Sequence, residues 1–295
     1  MGEKINREYK DRLFSFIFGR EENKAWTLSL YNAMNGTAYD DENAIEIMTM
    51  SDTVYMGMKN DVSFLVSDML SLYEQQSTYN PNMPVRQLMY LGRQYDRYIE
   101  GTKQNLYGSK QMHLPVPKLV TLYNGEKNVE DKVLRLSDSF ITNADQSDVQ
   151  VNVSLININM NKNRELLESC KPLEEYSWFV EKVRENKKGY TLEAAVDKVI
   201  DEMPEGFQIK RFIMSNRAEV KNMCLTEYNE AETMQRFKEE GREEGRELVN
   251  RLNNWLVEQG RNDEMIRSFT DKELQKQLIQ EMEAEKMKRI PCNTK

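Results

Sequence analysis

Asp61 stands thirteen residues ahead of Glu74, and the segment between them has the pattern of two strands and a turn. Val62-Ser63-Phe64-Leu65-Val66 and Met69-Leu70-Ser71-Leu72-Tyr73 flank the polar pair Ser67-Asp68. A two-residue loop fixes the register. Val66 then faces Met69, Phe64 faces Ser71, and Asp61 faces Glu74. Opposed residues of an antiparallel pair share a face, with Cβ atoms roughly 4.5–5.5 Å apart. Two carboxylates so placed repel unless a cation lies between them. Hard divalent cations such as magnesium favour carboxylate oxygens, so the hairpin reads as half of a metal site. On a solvated sheet rim the same two acids would be screened and inert. Alternation along the strands adds Lys59 and Gln76 to the Asp61–Glu74 face. It turns the Gln75 side chain to the opposite face, leaving only the Gln75 backbone carbonyl to reach a metal.

An acid followed on the next strand by an acid-x-polar triplet resembles the motif of the PD-(D/E)xK nuclease superfamily. In that superfamily two acids hold magnesium and a lysine assists the attacking water. Gln76 occupies the lysine's place, and glutamine there resembles the Rpn family of recombination-promoting nucleases, also labelled transposases. The resemblance extends to Tyr9-Lys10-Asp11-Arg12-Leu13-Phe14, to Phe18-Gly19-Arg20-Glu21-Glu22-Asn23-Lys24 and to Leu30-Tyr31-Asn32-Ala33-Met34-Asn35-Gly36. It continues through Tyr73-Glu74-Gln75-Gln76-Ser77-Thr78, Pro81-Asn82-Met83-Pro84-Val85-Arg86, Pro115-Val116-Pro117-Lys118 and Leu122-Tyr123-Asn124-Gly125. These segments are colinear over residues 5–228. The resemblance implies an α/β, restriction-endonuclease-like mixed sheet core flanked by helices, with a helical C-terminal extension. It implies a DNA endonuclease using Mg2+ or Mn2+, acting as a homodimer.

In that frame Asp61, Glu74 and the Gln75 carbonyl are metal ligands, and Gln76 positions the water. Asp11, on the first helix, is a further metal-shell acid of second rank, or a carboxylate stabilised by the helix dipole. Lys59 either supplies the missing cation from the neighbouring strand or is an ordinary exposed lysine. Arg86, Tyr90 and Arg93 follow at spacings of four and three on one helix. The arginines either contact DNA phosphates, with Tyr90 packed behind them, or belong to a mixed face on the sheet. The alternative function is a catalytically silent DNA-binding or regulatory protein that retains the fold.

Composition narrows the field. The single histidine, His113, excludes centres built from two or more histidines and reads best as a surface-loop residue. No Walker loop, Gly-x-Gly-x-x-Gly or nucleophile elbow occurs. What remains for catalysis is carboxylate chemistry. The net charge of −8 disfavours nucleic acid as a partner. Its distribution softens this, because Arg86 to Arg135 holds nine Lys/Arg against five Asp/Glu. Glu227 to Glu247 holds eight Glu against four Lys/Arg. Three cysteines without zinc spacing suit a reducing compartment. The lack of an apolar run or signal-like N-terminus makes cytoplasmic location, with no membrane, the expectation.

The elements that must hold this site follow from periodicity. Residues 7–35 suggest two helices broken near Gly19 and ended by Asn35-Gly36. Residues 45–58 are strand-like. Pro84 opens a helix to about Glu100. Leu119–Tyr123, Leu134–Leu136 and the stretch from Val149 to Ile158 supply further strands, and helices follow from Asn161. The expected domains are a nuclease core over 1–160, a helical extension packed on it over 161–235, and a small helical module over 236–295. The repeat Glu239-Glu240-Gly241-Arg242-Glu243-Glu244-Gly245-Arg246 suggests a joint.

Overall fold

The computed structural model describes residues 13–48, 62–142 and 144–288; at 144, 228–238, 240, 241, 244 and 283–288 only the backbone is considered. It is an α/β fold on a six-stranded mixed sheet ordered β1-β2-β3-β4-β6-β5. The strands are β1 (Ile45–Ile47), β2 (Val62–Val66), β3 (Met69–Gln76), β4 (Val116–Tyr123), β5 (Lys132–Arg135) and β6 (Asn152–Asn157). β1, β2 and β3 pair antiparallel in succession. β4 then lies parallel to β3, and β6 parallel to β4. β5 closes the far edge antiparallel to β6.

The parallel step from β3 to β4 is carried by the longest helix over this part of the chain, α3 (Met83–Gly101). A parallel pair requires such a crossover. Pro84 sits in the first turn of α3, where its fixed φ suits the helix and its missing N–H costs nothing. One face of the sheet packs on α3 through Leu70, Leu72, Met83, Tyr90, Leu119, Val153 and Leu155.

The opposite face is covered by α1 (Leu13–Phe18), α2 (Lys24–Asn35) and later helices. α1 and α2 are divided at Gly19, as the sequence suggests, by one 3-10 turn at Glu21–Asn23. α2 ends on Gly36, whose φ of 65° turns its N–H back to the Asn32 carbonyl. The later helices are α4 (Arg164–Ser169), α5 (Lys171–Lys187), α6 (Leu192–Glu202), α7 (Lys210–Ser215) and the first turns of α8 (Arg217–Glu258), through Val220 and Cys224. Leu173, Tyr176 and Phe179 of α5 join Phe14, Phe18, Phe64 and Val120 in one core. Phe14 meets Tyr176 edge-on, with ring centroids 5.6 Å apart. Buried Glu175 accepts the backbone N–H groups of Gln208 and Ile209 at 2.9 and 3.0 Å, ahead of α7.

The chain divides into two compact units, Met1–Asn229 and Glu230–Lys295. The second has its own small core of Leu252, Leu256 and Leu278, with α9 (Asn262–Ser268) and α10 (Lys272–Lys288). Arg261 brackets Glu264 and Glu281 there. The stretch 239–246, where the repeat suggests a joint, is helical throughout. Two glycines cost about 1 kcal/mol each against alanine in such a helix. No helix among the described residues is long and apolar enough to cross a membrane.

Candidate functional site

The β2–β3 hairpin has the register expected from its turn. Val66 pairs with Met69, Phe64 with Ser71 and Val62 with Tyr73. Ser67 makes the turn by adopting a positive φ of 52°. Side-chain parity follows. Val62, Phe64 and Tyr73 enter the core beneath α1 and α2, while Leu70 and Leu72 enter the core beneath α3. Alternation therefore sends Glu74 and Gln76 toward α3. Their contacts agree: Arg86 of α3 donates to a Glu74 oxygen, and Gln76 Nε2 lies 2.7 Å from Met83 Sδ.

Asp61, Lys59 and Asp11 lie outside the described residues, so the facing of Asp61 on Glu74, the placing of Lys59 and the first-helix acid have no observed geometry. The described register ends one pair short, at Val62 and Tyr73.

Glu74 is fully buried on the central strand. Arg86 forms its ion pair, and the Arg86 side chain keeps 28% of its surface exposed. Tyr90, one turn further along α3, accepts from Arg86 Nη2 at 2.8 Å and Nε at 3.2 Å. The i,i+4 spacing brings the two side chains together on the helix. Arg93 is half-buried on the same helix.

The inner stripe of α3 is unexpectedly polar. Met83, Gln87, Tyr90 and Gln94 are its buried positions beyond Pro84. Gln87 Nε2 donates to the Val120 carbonyl at 3.3 Å, and Gln94 Nε2 to Ser63 Oγ at 3.0 Å. Thr121 of β4 is the register partner of Glu74 and is fully buried. Gln76 Oε1, Gln87 Oε1 and Thr121 Oγ1 are buried and make no hydrogen bond within the described residues. Such a cost, about 1–3 kcal/mol per group, is uncommon in a helix–sheet interface.

Gln75 points the other way, as alternation requires. Its amide meets that of Asn124 at 2.7 Å, and Asn124 Nδ2 lies 3.4 Å from the Tyr176 hydroxyl. Its side chain thus belongs to the α5 side of the sheet. His113 is exposed, with its backbone held by Gln104.

The chain matches no family model, no curated protein and no solved structure.

Three participants escape a sequence reading: Gln87, Gln94 and Thr121. The first two had a signal, because amides at i and i+7 flank Tyr90 on an otherwise apolar stripe. Thr121 had none, since a β-branched residue within Leu119–Tyr123 is ordinary strand composition. Among the described residues no group of three or more Asp, Glu, His or Cys converges. The donors at the Glu74 end nevertheless fit a hard divalent cation. They are all oxygens, one is a buried carboxylate, and two, on Gln76 and Thr121, are buried acceptors with unused capacity.

Proposed function

We propose that the chain is a metal-dependent DNA endonuclease, with a restriction-endonuclease-like core of the PD-(D/E)xK type and Rpn-like features. The observation that carries the reading is the placement of Glu74 and Gln76. They stand two apart on the central strand, buried side by side beneath the crossover helix, in a sheet interface rich in unused oxygen acceptors. Asp61 directly precedes Val62, whose partner is Tyr73, so continuation of the ladder by one pair would set it opposite Glu74.

Glu74, Asp61 and the Gln75 carbonyl would hold Mg2+ or Mn2+, with Asp11 as a further candidate. The bound cation would supply a water of lowered pKa and stabilise charge on the scissile phosphate. Gln76 would hold that water in line through its amide, which orients without adding charge. Lys59, if it shares the face, would add the positive charge that Gln76 lacks. Arg86 and Arg93 would bind phosphates flanking the cut. We place this activity in the cytoplasm, in keeping with free, buried Cys170 and Cys224. Two-strand cleavage would be served by a homodimer.

One observation favours a second reading, a silent DNA-binding or regulatory protein. Arg86 already neutralises Glu74 as its ion-pair partner. Gel-shift and cleavage assays on the same duplex, with EDTA and then with MgCl2 or MnCl2, separate the two. Magnesium-dependent cleavage of DNA but not of matched RNA supports the endonuclease. Retarded duplex with no cleavage in either metal supports the silent binder.

A further inference from the structure

We infer that Arg86 is the site's own counter-cation: its guanidinium, anchored by Tyr90, competes with a divalent cation for the Glu74 carboxylate. Metal loading is then an exchange of one cation for another. This rests on the nuclease reading of the same site.

The argument begins with burial. The Glu74 side chain is 1% exposed, and an ionised carboxylate in such a place is strongly disfavoured unless paired. Arg86 provides the pairing across the helix–sheet interface. A guanidinium does not lose its proton in proteins, so it cannot leave by titration. It leaves by swinging its long stem, 28% of whose side-chain surface is exposed. Tyr90 opposes that movement, because its hydroxyl accepts two of the Arg86 donors and its ring lies 5.7 Å from the guanidinium carbon.

Three consequences follow. The metal-free chain never holds a bare buried charge at Glu74. The apparent metal affinity is lowered by the fraction of molecules in which Arg86 has withdrawn, as for any ligand that binds a minor conformer. A displaced Arg86 remains tethered beside the carboxylate, where a phosphate oxygen offers a bidentate partner. Substrate and metal would therefore reinforce each other, the one receiving the cation that the other expels.

The test is calorimetric titration of MnCl2 and MgCl2 into the full chain as wild type, Arg86→Gln and Tyr90→Phe, with thermal melts in EDTA and in metal. Arg86→Gln is expected to bind metal about tenfold or more tightly than wild type, with Tyr90→Phe between them. In EDTA, Arg86→Gln should melt below wild type, and saturating MgCl2 should raise its melting temperature more than it raises wild type's. Equal or weaker binding by folded Arg86→Gln overturns the inference alone. Should Arg86→Gln fail to fold in EDTA and in MgCl2 alike, Tyr90→Phe decides, and an affinity equal to wild type's overturns the inference. Absence of metal binding in all three proteins overturns the nuclease reading, and the inference with it.

Discussion

Arg86 on α3 and Glu74 on β3 form an ion pair in which the carboxylate is fully buried and the guanidinium reaches partly to solvent. The sequence presents Glu74 as one of two facing acids in need of a cation. The fold supplies a cation of its own, twelve residues further along the chain. The pair is embedded in a helix–sheet contact that carries buried amides and a hydroxyl where apolar side chains would pack at lower cost.

That cost is measurable at Thr121. Its hydroxyl is buried with no hydrogen-bond partner among the described residues. Thr121→Val keeps the shape and removes the unsatisfied group, so stability should rise by about 1 kcal/mol in urea denaturation. A loss of stability would mean that the hydroxyl is satisfied in solution.

Gly125 closes β4, and a methyl group there would lie 2.1 Å from the Ser77 carbonyl oxygen and 2.4 Å from the Tyr123 hydroxyl. The first neighbour is backbone at the end of β3 and cannot rotate away. Gly125→Ala should destabilise the fold by about 3 kcal/mol, the upper end for overpacking. Equilibrium unfolding checks this, and a change under about 1 kcal/mol would contradict the close approach.

Much of this was legible. The hairpin register followed from a period of two and a polar two-residue turn, because a one-residue slip would turn Val62, Phe64 and Val66 out of the core beneath α1 and α2 and onto the α3 face. α3 announced itself by Pro84, and the end of α2 by Asn35-Gly36. The Glu74–Arg86 pair was not legible, since it depends on side-chain reach between two elements rather than on spacing within one. Asp61, Lys59 and Asp11 rest on sequence alone.

The contact between α6 and the start of α8 should be acid-labile. The Asp197 carboxyl is held below the usual carboxylate range chiefly by its hydrogen bond to Lys221, with a further bond to Arg217, while desolvation acts the other way. Arg217 likewise holds Asp201 down. A carboxyl depressed in the folded state adds stability that is present above its unfolded pKa and is lost as pH falls through its folded value. Melting temperature should therefore drop as pH falls below the ordinary aspartate value of 3.8, and Asp197→Asn should flatten that limb. An unchanged acid limb in Asp197→Asn would remove the pair from the account.

Under the proposed nuclease reading, Gln76→Lys would create the commoner acid-x-lysine triplet of the superfamily that the chain resembles. Gln76 is almost wholly buried beside Met83, on the face that Glu74 occupies. A cation there can stabilise charge developing on a phosphate, so cleavage should be retained or raised. A folded, metal-binding but inactive Gln76→Lys would give the amide a role that lysine cannot fill.

The most direct measurement is conversion of supercoiled plasmid to nicked or linear form by purified wild type, Asp61→Ala and Glu74→Ala, in MgCl2, in MnCl2 and in EDTA. Far-ultraviolet circular dichroism confirms folding, since Glu74→Ala leaves Arg86 without its carboxylate and should cost some stability. The account predicts metal-dependent cleavage by wild type and none by either variant. Cleavage by folded Glu74→Ala at the wild-type rate, or none by wild type in either metal, would contradict it.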